Sequence, residues 1–458
     1  MTKHPKVVII GAGSLFFGRK AIWQMINSPY LNNGTLALVD TNPQTLDKMA
    51  TLAKKVIEEE KSSLTLEASV DRRDVLKDAD FVVLSFAEKS VYYRGIDCQI
   101  SEKYGIRMCS GDTIGPGGIF RAMRELPVIM DCARDISELC PDAWVINYIN
   151  PTTVNGIGLK KYAPHLKSFA LCDAQHMPHI KMNYAVRAGI TQKKNDYTDE
   201  IDRDFNFKVA GINHFTWIIK AEYKGVDLTP QIGESIRIES AKETEGGDTG
   251  AKAIYNTTIG YELYKIFGYV PTVVGHTKEY VNFWQGKGIL KDKIPPLSIW
   301  ETEERYARHR EMFDEVDSFI SGKTPISDFM TTYKADHATD IIEAMVSDSK
   351  KPYFVNTPNN GAVTNMADDA FFELMCTIDK NGPTPLPVGE MPVGLKGMQQ
   401  IVLDTHELTA AAICEGSYEL LRRAMMLDPL VSSVADADAI IKELLEAEKD
   451  IIPARWYK

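Results

Sequence analysis

Val7-Val8-Ile9-Ile10-Gly11-Ala12-Gly13-Ser14, closed by Gly18, is the stretch whose reading decides the fold. Four β-branched residues in a row read as a parallel strand buried on both faces, and the glycines behind them permit a tight turn that lets backbone approach a pyrophosphate. A helix starting near Gly18 directs its N-terminal amides, with their partial positive charge, at that phosphate. A glycine triplet also occurs as a plain turn in other α/β proteins, so the second strand has to discriminate. Thr35-Leu36-Ala37-Leu38-Val39 ends at Asp40, where a Rossmann unit hydrogen-bonds the adenosine ribose. A carboxylate there repels a 2′-phosphate, so the pattern predicts NAD rather than NADP, held by Gly11, Gly13, Ser14 and Asp40.

Strand and helix alternate to about residue 195. Asn42 to Glu60 spaces Leu46, Met49, Leu52, Ala53 and Val56 at helical intervals. Phe81-Val82-Val83-Leu84-Ser85-Phe86 reads as another buried strand whose end, with Ser85, belongs at the same sheet edge as Ser14. Trp144 to Asn147 and Phe169 to Cys172 repeat the pattern, each ending in a polar residue. Beyond a charged stretch, Lys193 to Asp204, Phe207 to Lys220 reads as strand and turn around Gly211-Ile212-Asn213-His214. Tyr261 to Phe267, Thr302 to Ile320 and Val402 to Leu427 read as helices, and Val355 to Gly361 as a turn cluster rich in amides. The expected class is α/β: a Rossmann-type, lactate/malate dehydrogenase-like dinucleotide domain over 1–195 and a larger mixed, mostly helical domain over 196–458.

At 458 residues the chain exceeds one compact core, and 44% hydrophobic with 25% charged residues is the composition of a soluble enzyme. A net charge of −11 without a concentrated basic stretch excludes nucleic acid as a partner. No apolar run reaches the ~20 residues of a membrane helix. Met1 to Lys6 is polar and leads straight into the first strand, so no secretory leader is expected. Seven cysteines without paired spacing fit reduced thiols in a cytoplasm.

Three further features carry chemistry. Cys109 to Arg121 is a glycine-dense loop entering a helix, with Asp112 and Arg121 supplying charge at its rim, although a plain helix entry has the same composition. Asn147-Tyr148-Ile149-Asn150-Pro151 ends its strand with two amides able to meet sugar hydroxyls without adding charge. Cys172 and His214 are a thiol and an imidazole of the kind that suit a borderline divalent ion, but their separation forms no spacing signature, and a buried structural Cys or His is the plainer reading.

Taken together, Ile10 to Ser14, Asp112-Thr113-Ile114-Gly115-Pro116-Gly117-Gly118-Ile119, Asn147 to Pro151, Cys172, Gly211 to His214, Asn359-Asn360-Gly361 and Met425-Met426-Leu427-Asp428-Pro429 resemble, in order, the NAD-dependent family 4 glycoside hydrolases. The Gly211 to Trp217 segment is similar to the α-galactosidase and α-galacturonidase branches. The resemblance implies cleavage of an α-glycoside (galactoside, galacturonide or glucoside) by elimination: C3 is oxidised by NAD, a divalent metal such as Mn²⁺ polarises the ketone, C2 loses a proton, the leaving group departs, water adds, and the hydride returns. It implies that Cys172 and His214 bind the metal, that Asp112 assists the leaving group, and that Asn150, with Arg121 as a second candidate, contacts the sugar. A homodimer or homotetramer is also implied.

Two departures from the family pattern stand out. Cys172 is followed by Asp173-Ala174-Gln175-His176, so Asp173 is open to a role as an extra oxygen ligand or a sugar contact, while His176 and His179 read as local structure. Near Pro271 to Tyr280, where the family's base falls, no residue matches cleanly. His276 is the candidate, with Tyr255, Tyr261 and Tyr280 as alternatives. Recognition of a uronate would fall to Lys278 or Arg121. A 2-hydroxy-acid dehydrogenase would share the first domain but needs an Arg clamp and a His-Asp pair. A non-catalytic NAD-binding regulator would ignore Mn²⁺.

Overall fold

The computed structural model describes residues 4–14, 18–108, 110–245, 256–285, 302–333 and 337–457. Strands β1 (Lys6–Ile10), β2 (Thr35–Val39), β3 (Thr65–Ser69), β4 (Phe81–Leu84), β5 (Trp144–Asn147) and β6 (Lys167–Ala170) form a parallel sheet in the order β3-β2-β1-β4-β5-β6. That order is the Rossmann topology, with β1 central and Val7 and Val8 fully buried. Helix α1 (Gly18–Asn27) leaves the glycine turn, and α2 (Pro43–Glu59) starts where the Asn42 side chain accepts the N–H groups of Gln44 and Thr45. Helices α3 (Ser90–Lys103) and α4 (Gly115–Leu139) lie between β4 and β5, and α5 (Thr152–Tyr162) lies between β5 and β6.

The sheet does not stop at β6. After α6 (His179–Arg187) come β7 (Phe205–Ile212), β8 (Phe215–Tyr223), β9 (Val226–Asp227), β10 (Val270–Pro271), β11 (Lys351–Pro358), β12 (Phe371–Asp379) and β13 (Gly382–Pro385). They continue the same sheet as β6-β11-β12-β7-β8-β10, every new pair antiparallel, with β9 on β8 and β13 on β12. The two halves join where Asn356 pairs with Ala170.

This antiparallel half corrects two expectations. Val355 to Pro358 is strand, not turn, because Phe354 and Val355 are buried between sheet neighbours, and the turn begins only at Asn359. There the Asn359 amide donates to the Val363 carbonyl at 2.9 Å and its oxygen accepts the Val363 N–H at 2.7 Å, so the amide closes a loop. Val402 to Leu427 is two helices, Val393–Glu415 and Tyr418–Leu427. Gly416, at φ 71°, ends the first, and Ser417 caps the second.

A single apolar core runs through both halves, and a smaller one, with Tyr184, Phe207 and Ile232, lies under β7 and β8. No helix among the described residues is long and apolar enough to cross a membrane. The C-terminal segment is fastened to α3 and α4 by a buried ionic cluster in which Arg124 donates to Asp97 at 2.8 Å and to Glu448 at 2.6 Å. Two buried carboxyl groups share one guanidinium there, and burial, then Asp97, raises the pKa of Glu448 against the pull of Arg124. Arg124→Leu leaves both carboxylates without their cation and is expected to destabilise the fold by ~3–5 kcal/mol. Urea unfolding checks this as a lowered midpoint at unchanged slope.

Candidate active site

The glycine turn is packed too closely for side chains. Gly11, at φ 91°, and Ala12 donate to the Val39 carbonyl at 2.8 and 2.9 Å, and a Cβ on Gly11 would stand 2.7 Å from the Phe86 backbone. A Cβ on Gly13 would stand 2.6 Å from Asp40 Oδ2, which accepts the Gly13 N–H at 2.8 Å. Asp40 Oδ1 takes the Asn42 N–H at 2.9 Å, so this carboxylate fixes the turn as well as ending β2. Ser85 Oγ donates to the Gly11 carbonyl at 3.3 Å. The fold therefore brings Gly11, Gly13, Ser14, Asp40 and Ser85 to the C-terminal edge of β1, β2 and β4, beside the start of α1. A bare-backbone cradle with an acid at its rim fits a dinucleotide.

Cys172 lies two residues past β6, and His214 lies in the turn between β7 and β8. Distant in sequence, they meet with Sγ 2.7 Å from Nε2. The turn is shaped for this. His214 has φ 64°, and Gly211, at φ 151°, has the Phe215 carbonyl 2.5 Å from where a Cβ would be. Gln399, from the Val393–Glu415 helix, accepts the Ile212 N–H and donates to the Phe215 carbonyl, both at 2.7 Å, which holds the hairpin end. Burial, then the neighbouring His276, keeps the His214 imidazole neutral, the form a metal ligand requires. Burial, then Glu373, pushes the Cys172 thiol up. A thiol and a neutral imidazole facing one another suit a borderline divalent ion whose charge would offset that cost.

The turn before α4 carries the third part. Asp112 Oδ2 accepts from Arg121 at 3.0 Å and from the Asn150 amide at 3.1 Å, with Arg94 at 3.1 Å. Burial raises its pKa, but Arg94 and Arg121 prevail and hold the carboxyl well below the usual range. Asp112 is thus held as a carboxylate that accepts from two guanidinium groups and one amide. Arg121 is buried, and its Nε has no hydrogen-bond partner among the described residues. His276, in the short helix Val274–Thr277, stacks on His214 with ring centres 4.1 Å apart and stands 3.7 Å from Glu279.

Not every expected residue arrives. Tyr280 is buried and donates to the Asn213 carbonyl at 2.8 Å, and burial drives its pKa well above 10, which removes it as a base. Tyr261 packs with Tyr264 on the smaller core, and Tyr255 lies outside the described residues. Lys278 is buried and donates to Asn256 at 2.9 Å. Asp173 turns to His176 at 2.7 Å, Tyr148 at 3.3 Å and Lys20 at 3.7 Å. Among the described residues no group of three His, Cys, Asp or Glu could hold an ion, so Asp173 does not complete a ligand set with Cys172 and His214.

Four residues were missed in the sequence. Glu373, on β12, accepts from the Asn213 amide at 3.1 Å beneath Cys172, and burial pushes it up to about 7; its signal was a lone carboxylate inside the apolar run Phe371 to Met375. Glu279 accepts the Ser110 and Gly111 N–H groups at 2.8 and 3.3 Å, tying the Asp112 loop to His276. Asp428, from the closing Met-Met-Leu-Asp-Pro segment, accepts the first amide of α4, Gly115 N–H, at 2.8 Å. Arg94 gave no signal, because only the fold carries α3 to the loop.

The profile of the family 4 glycosyl hydrolases matches residues 6–187, and that of the family's C-terminal domain matches residues 209–431. The chain belongs to the family 4 glycosyl hydrolases. It is 29% identical to a Bacillus subtilis protein named "Probable 6-phospho-beta-glucosidase", over 100% of this chain and 99% of that one. It is 28% identical to an alpha-galactosidase of the same organism, over 98% and 99%. A 6-phospho-alpha-glucosidase from gut microorganisms, solved in complex with NAD and Mn²⁺, shares the fold with a TM-score of 0.79 at 22% identity, over 98% and 99% of the two chains. The family 4 enzyme is therefore a glycosidase, and the dehydrogenase alternative is set aside. Glu279→Gln weakens the acceptor of two backbone N–H groups in the Asp112 loop, and a loss of ~1–2 kcal/mol in thermal or urea unfolding is expected.

Proposed function

We propose that this family 4 enzyme cleaves an α-linked galactoside, galacturonide or glucoside by the redox-assisted elimination implied for the family, using NAD and a divalent metal such as Mn²⁺. The observation that carries the reading is the 2.7 Å approach of Cys172 Sγ to His214 Nε2, with Asp173, the next residue, reaching Lys20 on the helix that leaves the glycine turn. When bound, the dinucleotide supplies a hydride acceptor and the ion a Lewis acid, so that the proton at the carbon beside an oxidised centre becomes removable by a modest base. Cys172 and His214 would hold the ion, and Gly11, Gly13, Ser14, Asp40 and Ser85 the dinucleotide.

The chain's own groups then orient the ring and move a proton. His276, in reach of Glu279 and stacked on His214, is the base for the C2 proton, because its partner would stabilise the imidazolium that forms. Asn150 shares Asp112 with Arg121 and Arg94, so a sugar hydroxyl donating to Asp112 would meet a carboxylate already fixed in place. Arg121, through its unpartnered Nε, is the second substrate contact.

The described cysteines are all free thiols, which supports a reducing, cytoplasmic setting. Gly394, next in the chain to the 87%-exposed Val393, lies against Phe267, which stacks on the 44%-exposed Phe283, an apolar face that supports a homodimer or homotetramer.

The test is a panel of nitrophenyl α- and β-glycosides, uronides and 6-phosphates, assayed with NAD and Mn²⁺ under reducing conditions. Nitrophenol release from an α-glycoside without net NADH is expected, with deuterium at C2 of the sugar when the reaction runs in heavy water. Product that retains protium at C2 overturns the elimination. Cys172→Ser is expected to lower Mn²⁺ affinity by at least ~100-fold, measured by titration calorimetry.

A further inference from the structure

A cavity of about 820 Å³, within the range of small-molecule sites, opens beside the Cys172 turn between α6 and the Lys193–Lys194 segment. Its inner wall is built from residues bonded to the turns that carry Cys172 and His214. Ala174 lines it, and the Ala174 N–H donates to Cys172 Sγ at 3.3 Å. His176 lines it and is bonded to Asp173. Thr272 lines it with a hydroxyl 2.6 Å from that of Thr216, two residues beyond His214. The cavity thus adjoins the two turns that carry Cys172 and His214.

The charge of the wall is one-sided. Arg187, Lys193 and Lys194 face Glu239 as the one carboxylate of the described lining, and Glu239 is already bonded to Arg187 at 2.9 Å. The Arg187 guanidinium also keeps a buried Nη1 without a hydrogen-bond partner among the described residues. Neither lysine side chain makes an ion pair among the described residues, and the Asp196 carboxylate takes the Lys193 backbone N–H at 3.1 Å. His176 and His179 add two imidazoles, and Asn183 a neutral amide. In a chain with net charge −11, a cationic wall beside the reacting bond is a local choice rather than a reflection of the whole surface.

We propose that this cavity is the leaving-group subsite and that it selects an anionic leaving group, a sugar residue bearing a carboxylate or a phosphate. The proposal rests on the glycosidase reading and adds the chemistry of the departing half of the substrate. The anion meets Lys193 and Lys194 at the rim, while Asn183 and Thr272 are placed for its hydroxyls.

The test compares wild-type enzyme with a Lys193→Gln/Lys194→Gln double variant on matched disaccharides of one glycone, whose second sugar is neutral, carboxylated or phosphorylated, and on the nitrophenyl glycoside. Wild-type kcat/KM is expected to be higher on one of the acidic disaccharides than on the neutral one. In the variant, the loss on that acidic substrate should exceed the loss on the nitrophenyl glycoside by ~10-fold, as two partly exposed ion pairs would give. The two acidic arms distinguish carboxylate from phosphate. Equal losses on both substrates, no loss on either, or a wild-type preference for the neutral disaccharide overturns the subsite while leaving the glycosidase reading standing. Absence of nitrophenol release from every glycoside overturns that reading and the subsite with it.

Discussion

The structure depends on bringing a sulfur and an imidazole together across a seam in one sheet. Cys172 follows the last parallel strand, and His214 sits at the end of a hairpin that belongs to the antiparallel extension. Two strands, β11 and β12, separate β6 from β7, and the pair meets only because both turns reach over them. Everything near the seam restrains those turns: Gln399 closes the hairpin end, Thr277 Oγ1 donates to the His214 carbonyl at 3.2 Å, and His337 stands 3.1 Å from the Cys172 carbonyl. A left-handed His214 persists because this packing over-determines it.

The second constraint is buried charge. Asp112, Arg94 and Arg121 are taken out of water together, and such a group is tolerable only while every member keeps its partners. The loop that carries Asp112 is held from two sides, by Glu279 under Ser110 and by Asp428 at the first amide of α4. Burial pushes Asp428 up to about 7, so its cap is kept against a desolvation cost. Asp428, in the last fifth of the chain, thereby helps fix a loop near residue 112, which ties the closing segment to the candidate site.

Much of this was legible in the sequence. The β-branched run and the glycines of the first strand have only one comfortable backbone path, and Asp40 marks the end of the second strand, so the nucleotide edge reads locally. The end of strand β11 was not legible, because Asn356 and the amides that follow it favour turns and only tertiary burial turns Asn356 and Thr357 into strand. The long C-terminal helix was read as continuous because its apolar periodicity survives the break at Gly416, whose left-handed φ is a property of the folded chain. The charge state of Asp112 could not be read in the sequence, since the two arginines that hold it ionised come from α3 and α4.

The sequence by itself determined the parallel Rossmann half, the glycine turn after its first strand and the residue types available for a metal and a sugar, because these depend on neighbours a few positions apart. Only the tertiary structure decided that Cys172 and His214 face one another, that Asp173 turns toward His176 and Lys20 instead of joining them, and that Glu279 and Glu373 stand behind the site. The physical reason is range: strand and turn preferences act along the chain, whereas the direction of a buried charge is set by whichever distant groups the packed core brings within a few ångströms of it.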